Sequence, residues 1–232
     1  AGIRLIGKLG PEANAAVPTI VALTESPWVY ERVPAVRALG DLDVKEEAPR
    51  LVSLLGDDRE EIATAAAYAL DQIKTGNPAS IHEFAELLSH EKWRVRMGAA
   101  TMLRSFGENA ATATDDLIEA VEDDEQIVRT RALQALVRIQ PELDLVYPIY
   151  LNALEDGYAG PRIAAIEGLA AYEEEAAQAA NAVGAQLALN HEELRKTAAD
   201  ALGGCEAAPV RMVEYEKILY CFTACSCSAD GF

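Results

Sequence analysis

The stretch 122–136, EDDEQIVRTRALQAL, is one copy of a pattern that runs through most of the chain. Its last residue belongs to a series of leucines that recur every 33 residues, with one step of 31: Leu39, Leu70, Leu103, Leu136, Leu169 and Leu202. An arginine stands seven residues before each of these leucines except Leu70, where the residue is Ala63. A fixed period of this length is typical of proteins built from stacked structural repeats.

Each period contains two segments in which apolar residues have helical spacing. The second segment carries the arginine, a small or apolar pair and the leucine; the first begins 21 residues before the leucine, at Pro18, Pro49, His82, Asp115, Pro148 or Asn181. Prolines at these positions are expected in the first helical turn, where a missing N–H costs nothing. The 31-residue step is a two-residue deletion that we expect in the connection 41–47.

One helix pair cannot bury its apolar stripe alone, so successive pairs are expected to stack on a shared core. The predicted fold class is all-α: an α–α superhelix, a solenoid of antiparallel helix pairs with a period of about 33 residues. We predict a half unit plus six helix pairs over residues 1–206, and a C-terminal cap helix or disordered tail over 207–232. An apolar edge at the N-terminus suggests a fragment of a longer array or an end-to-end self-association.

The composition limits the classes of partner. The 232 residues carry a formal net charge of −18, which disfavours nucleic acid and anionic membrane surfaces, since both attract Lys and Arg. No apolar run approaches the length of a transmembrane helix and no signal peptide is recognisable, so we predict a cytoplasmic location. The first 204 residues contain no cysteine, so the main body does not rely on disulfides.

The repeated pattern resembles the HEAT-like repeats named after the phycobilisome lyases. It is carried best by Pro49–Leu55 with Asp57-Asp58, and by Asp123-Asp124 with Val128-Arg129, Ala132 and Ala135-Leu136. The resemblance covers residues 1 to about 206 and implies an α-solenoid. It does not imply one activity, because such repeats occur in scaffolds, bilin lyases, hydroxylation enzymes and DNA-alkylation repair glycosylases. The repair enzymes rely on a basic concave face, which the net charge disfavours.

Metal and cofactor sites are not predicted. The hydroxylase resemblance implies paired His-Glu metal ligands, but His82, His90 and His191 lie too far apart in an extended array to share one ion. The C-terminal cysteines Cys221, Cys225 and Cys227, which follow Cys205, have neither paired C-x2-C spacing nor a nearby histidine. We therefore predict no metal, no cofactor and no catalytic residue.

The recurring acids and arginines have two interpretations. In the first, each acid of the turn caps the following helix and each arginine bridges neighbouring repeats by charge-assisted hydrogen bonds. In the second, they form an anion-binding row. Regular recurrence favours the structural interpretation, because a ligand site seldom needs one copy per repeat. The acids or polar equivalents are Asp57, Asp58, Glu91, Asp123, Asp124, Asp156 and Asn190.

The opposite face of each second helix is the better candidate for binding, since this helix is expected to line the concave surface. Four positions of each second helix are expected on this face. They lie 12, 16, 19 and 23 residues after the residue at which the first helix of the same repeat begins, for example Pro18. The candidates for contact with a protein or an acidic peptide segment are Tyr30, Arg37, Tyr68, Arg94, Arg131, Gln134 and Arg138. The alternative is an ordinary solvated face.

Trp28 and Trp93 are expected beside the turns, packing over the edge of a repeat, with ligand stacking as the alternative. The leading functional hypothesis is a protein-interaction scaffold without catalytic activity of its own. The alternatives are a bilin-lyase-like enzyme or enzyme subunit and, disfavoured by charge, a nucleic-acid-binding protein.

Overall fold

A computed structural model describes residues 15–73, 77–172, 179–189 and 191–203, and throughout these ranges the secondary structure is helical, without strands. The predicted all-α class is therefore confirmed. Short 3-10 turns precede several of the helices. The α-helices are α1 (Val17–Leu23), α2 (Val29–Asp41), α3 (Ala48–Leu54), α4 (Glu60–Ile73), α5 (Ile81–Leu87), α6 (Trp93–Phe106), α7 (Thr114–Ala120), α8 (Gln126–Ile139), α9 (Leu143–Ala153), α10 (Ala159–Ala170), α11 (Ala180–Ala185) and α12 (Glu192–Gly203).

The helices form the predicted pairs. Each odd-numbered helix is the first helix of a repeat and packs against the even-numbered second helix that follows it. Second helices of successive repeats also pack side by side, α2 with α4, α6 with α8, and α10 with α12. The chain divides into two compact units, Ala1–Pro141 with the first four pairs and Glu142–Phe232 with the last two.

Two of the predicted segments cannot be compared with the structure. The half unit at the front and the cap helix or tail over 207–232, with all four cysteines, lie outside the described residues. The single array over residues 1–206 stays a prediction.

The core follows the repeat pattern with one variation. The recurring leucine is fully buried in repeats one, three, four and five, as Leu39, Leu103, Leu136 and Leu169, but Leu70 and Leu202 are only half-buried. Many buried positions between the helices are alanines, including Ala35, Ala66, Ala99, Ala132 and Ala165, all without solvent exposure. Small side chains let the helices approach closely, which suits the alanine-rich composition.

Close approach between helices leaves no room for a side chain at Gly40 and at Gly168. A Cβ atom added to Gly40 on α2 would lie 2.5 Å from the Cα of Ala69 on α4, so these second helices meet backbone to backbone. A Cβ on Gly168 of α10 would lie 2.5 Å from the ring of Tyr150 on α9. The Tyr150 ring is fully buried and its hydroxyl has no hydrogen-bond partner among the described residues; this burial raises the pKa of the phenol.

The prolines occupy two different helical positions. Pro18 and Pro49 lie in the first turn of α1 and α3, as predicted. Pro148 lies inside α9, so the prediction of a first-turn position is wrong there. The reason is that α9 starts five residues earlier, at Leu143, and is longer than the other first helices.

Candidate functional site

The turns before the first five second helices share one backbone contact. In each of these turns, the residue just before the helix donates its backbone N–H to the side chain two residues earlier in the chain, at 2.8 to 3.2 Å. The accepting side chains are Ser26, Asp57, His90, Asp123 and Asp156. The bond closes a local turn before the helix starts. The prediction that the acids cap the helix is therefore wrong for Asp57 and Asp123, whose printed contacts are to the residue before the helix rather than to its first turn. The helix-preceding residues Trp28, Lys92, Glu125 and Tyr158 form no cap with their own side chains, and Asn190 lies outside the described residues.

The recurring arginines bridge repeats, as the structural interpretation predicts. Arg32 donates from Nε to the carbonyl of Thr24 within its own repeat and from Nη2 to Asp57 of the next, at 2.7 and 2.6 Å. Arg96 binds the carbonyls of His90 and Glu91 and both carboxylate oxygens of Asp123.

The Arg96–Asp123 pair is the most enclosed of these bridges, with side chains 16% and 8% exposed. Burial acts to raise the pKa of Asp123, but hydrogen bonds from Arg96 and the N–H of Glu125 outweigh it and hold the pKa below its usual value. Arg129 repeats the pattern toward the carbonyls of Asp123 and Asp124, and Arg162 donates to Gln186 at 2.7 and 3.0 Å. We refer to this series of turn contacts as the ladder.

Between repeats two and three, a lysine makes the contact that an arginine makes elsewhere in the ladder. Repeat two has Ala63 where the other repeats have the arginine. Repeat three has His90 where an acid would accept the hydrogen bond of that arginine. Lys92 reaches back instead, donating to the carbonyl of Gly56 at 2.5 Å and to Asp58 at 2.6 Å. The guanidinium and ammonium groups of the ladder thus already have partners in the chain, which disfavours the anion-binding row.

The candidate face on α2 and α4 connects two repeats. The guanidinium of Arg37 lies 5.3 Å above the ring of Tyr68, whose hydroxyl donates to Asp41 at 2.9 Å. These residues come from equivalent parts of neighbouring second helices, as the repeat register predicts. Tyr30 is 71% exposed and stacks on Trp28, which is itself 57% exposed, with ring centroids 6.1 Å apart.

The candidate residues on α6 and α8 lie on two helices that pack side by side. The Arg94 guanidinium lies 5.5 Å from the ring centre of Trp93, Arg131 donates from Nη1 to Gln134 at 2.8 Å, and Arg138 is exposed. The two helices contain six arginines and no acid. Arg104, exposed in the last turn of α6, was not predicted as a site residue; the absence of acids from the helix is the signal that would have found it.

The prediction that all four positions face outward is wrong at the second position. Ala65, Gly98 and Ala164 are buried there, and a Cβ on Gly98 would lie 2.5 Å from Leu55 of the preceding first helix. Arg131 occupies the same position and is half-buried. The first, third and fourth positions of α2, α4, α6 and α8 are exposed or half-buried and form what we term the outward surface: Tyr30, Arg37, Asp41, Glu61, Tyr68, Gln72, Arg94, Thr101, Ser105, Ile127, Gln134 and Arg138.

Two further results concern metals and membranes. Within the described ranges, no three His, Cys, Asp or Glu residues come together in a group that could hold a metal ion. None of the helices in those ranges combines the length and the apolar character needed to cross a membrane.

Comparison with known proteins supports the repeat assignment. Residues 65–137 match the family model of HEAT repeats, which confirms the resemblance to HEAT-like repeats in that part of the chain. No curated protein matches the sequence.

Solved structures share the architecture at low sequence identity. A designed armadillo repeat protein in complex with the peptide (KR)4 has a TM-score of 0.57 and 20% identity, over 82% of this chain and 99% of that one. The complex of CpcE and CpcF of phycocyanin lyase from Nostoc sp. PCC7120 has a TM-score of 0.52 and 22% identity, over 82% and 76%. An engineered protein has a TM-score of 0.57 and 20% identity, over 82% and 98%. The likeness shows a HEAT or armadillo-like solenoid fold.

Proposed function

We propose that this array of HEAT-like repeats is a protein-interaction scaffold that binds an acidic segment of a partner along α6 and α8. The observation that carries the proposal is charge segregation. In a chain of net charge −18, two neighbouring second helices contain six arginines and no Asp or Glu. Such a local field attracts an acidic partner and repels a basic one.

Three of these six arginines, Arg94, Arg104 and Arg138, are exposed, and Arg131 is half-buried. Arg96 and Arg129 bind the turns of the ladder, whereas Arg94, Arg104, Arg131 and Arg138 do not take part in it. A Cβ on Gly107, just after α6, would lie 3.5 Å from the carbonyl oxygen of Arg138, so the C-terminal ends of α6 and α8 are adjacent. Arg104 and Arg138 both lie in these last turns, where a cation is also favoured by the helix dipole.

Exposed aromatic side chains support an interaction role. Trp93 borders Arg94, and the Trp28–Tyr30 stack and Tyr68 lie on or beside the outward surface of the first two repeats. Trp, Tyr and Arg are the side chains that most often contribute large shares of interface energy. Two of the solved structures named above contain a peptide and a partner subunit, which also supports a protein partner.

The test is fluorescence anisotropy of two labelled octapeptides with the full chain, one alternating Asp and Glu and one alternating Lys and Arg. We expect the acidic peptide to bind in a salt-dependent manner. The double variant Arg94→Glu/Arg138→Glu should lose this binding, because it reverses two charges of the outward surface. The matched control Lys45→Glu/Lys196→Glu changes the net charge equally at exposed positions elsewhere and should retain it. Equal binding by both double variants, or preference for the basic peptide, refutes the proposal.

A second candidate is a bilin-lyase-like enzyme or enzyme subunit. Its support is the structural likeness to the CpcE–CpcF complex of phycocyanin lyase. Co-expression with a bilin and an acceptor protein tests it: a covalent chromophore with visible absorbance on the acceptor would support lyase activity, and its absence beside an active lyase control would exclude this candidate.

A further inference from the structure

Arg131 departs from the rule that the repeats follow at its position. The equivalent residues of the other second helices are small or compact: Pro34, Ala65, Gly98, Ala164 and Thr197. The position is narrow because it faces the preceding first helix; at Gly98 an added Cβ would approach Leu55 to 2.5 Å and Val52 to 3.2 Å. The repeat fold therefore does not need a long cation there.

The guanidinium of Arg131 is only partly satisfied. Nη1 donates to Gln134 Oε1 at 2.8 Å, whereas Nε is enclosed and has no hydrogen-bond acceptor among the described residues. An enclosed donor of a charged group without an acceptor destabilises the fold. Neither α6 nor α8 contains a carboxylate that would relieve this cost.

From this geometry we propose that Arg131 is the specificity-determining residue of the acidic-segment site, anchoring one carboxylate of the partner; this inference rests on the proposed function. The carboxylate accepts from Nε and Nη2 side by side, a two-bond arrangement that suits the flat guanidinium. Because Nε is covered in the free chain, the Arg131 side chain turns outward when the carboxylate binds.

This assignment has a thermodynamic signature that a merely structural arginine lacks. Replacing Arg131 by Met keeps most of the unbranched stem and removes the unsatisfied donor, so the variant should be at least as stable as the parent. The same replacement removes the paired hydrogen bonds to the partner. Stability and binding should therefore change in opposite directions, whereas an arginine that supports the fold would lose both.

The experiment combines thermal unfolding with anisotropy titration of the acidic octapeptide on the full chain. Arg131→Met should unfold at the parent temperature or above it and bind about tenfold more weakly, the effect of losing a charged hydrogen-bond pair. Arg138→Met, which removes the same charge from an exposed position on α8, should weaken binding by only about twofold. Arg131→Lys should resemble Arg131→Met in binding, because an ammonium cannot form the paired bonds.

A second variant protects the test against misfolding. Arg131→Ala introduces the residue that repeats two and five already have at this position, and it should behave like Arg131→Met. If the Arg131 variants unfold at a lower temperature than the parent, or bind no more weakly than Arg138→Met, the inference is overturned while the proposed function stands. If the parent chain does not bind the acidic peptide at all, the proposed function and this inference both fail.

Discussion

At the scale of single residues, the ladder depends on enclosed charges rather than on the number of ion pairs. Arg96 and Asp123 are largely removed from water and hold each other through two hydrogen bonds, while Lys92 and Asp58 form a pair in which the carboxylate is 93% exposed. Enclosed pairs are costly to break because one charge remains without its partner, whereas exposed pairs contribute little.

We therefore expect Asp123→Ala to lower the free energy of unfolding by roughly 3 kcal/mol, near the lower end for enclosed pairs because Arg96 keeps some access to water. Asp58→Ala is the matched control and should leave the unfolding midpoint in urea unchanged within error. Equal midpoint shifts in the two variants would contradict the claim that the enclosed pair contributes more to stability than the exposed pair.

The pH dependence of the same variant follows from the lowered pKa of Asp123. A carboxylate whose pKa is lower in the folded than in the unfolded state contributes its stability above the unfolded value, about pH 4. That contribution is lost as the pH falls through the folded value. The stability difference between the parent chain and Asp123→Ala should thus be constant near neutral pH and shrink below about pH 4.

At the scale of elements, the distance between neighbouring second helices is set by side-chain size. Gly40 lies against Ala69 at a separation that leaves no room for a methyl group, and the contact is to backbone, which cannot rotate away. Gly157, in the turn before α10, has no atom within 4 Å of an added Cβ. Two glycines of the chain therefore differ in their tolerance of alanine.

Gly40→Ala should destabilise the chain by about 1–3 kcal/mol, because overpacking between α2 and α4 outweighs the gain of about 1 kcal/mol from better helix propensity. Gly157→Ala should be neutral or slightly stabilising, because it only restricts the unfolded chain. Thermal unfolding followed by circular dichroism measures both. A Gly40→Ala variant as stable as the parent would show that α2 and α4 separate at little cost.

At the scale of the whole molecule, a net charge of −18 on 232 residues opposes the compact state by self-repulsion. Salt screens this repulsion between exposed charges, over about 10 Å at 0.1 M, but affects enclosed pairs of the ladder less. Raising NaCl from 20 mM to 500 mM should therefore raise the unfolding temperature. Sucrose at equal osmolality separates charge screening from solute exclusion, and a lower unfolding temperature in NaCl would mean that surface attraction dominates.

Much of the architecture could be predicted from the sequence, because its basis is local. The 33-residue step, the helical spacing of apolar residues and the recurring arginine follow from positions along the chain, and they led to the observed helix pairs and to the bridges of Arg32 and Arg96. The outward positions Arg37 and Tyr68 were predicted for the same reason, since one register places equivalent residues of neighbouring helices side by side.

What only the tertiary structure decided concerns contacts between segments about 30 residues apart. Three features depend on how each helix is rotated and how closely it approaches its neighbour. They are the burial of the second position at Gly98, the contact that Lys92 makes in place of the missing arginine, and the enclosed Nε of Arg131. Local spacing fixes which residues share a helix face, but how deeply each of them is buried depends on the side chains of the adjoining repeat. For this reason the sequence determined the repeat and its candidate surface, and the structure determined that the Nε of Arg131 has no acceptor among the described residues.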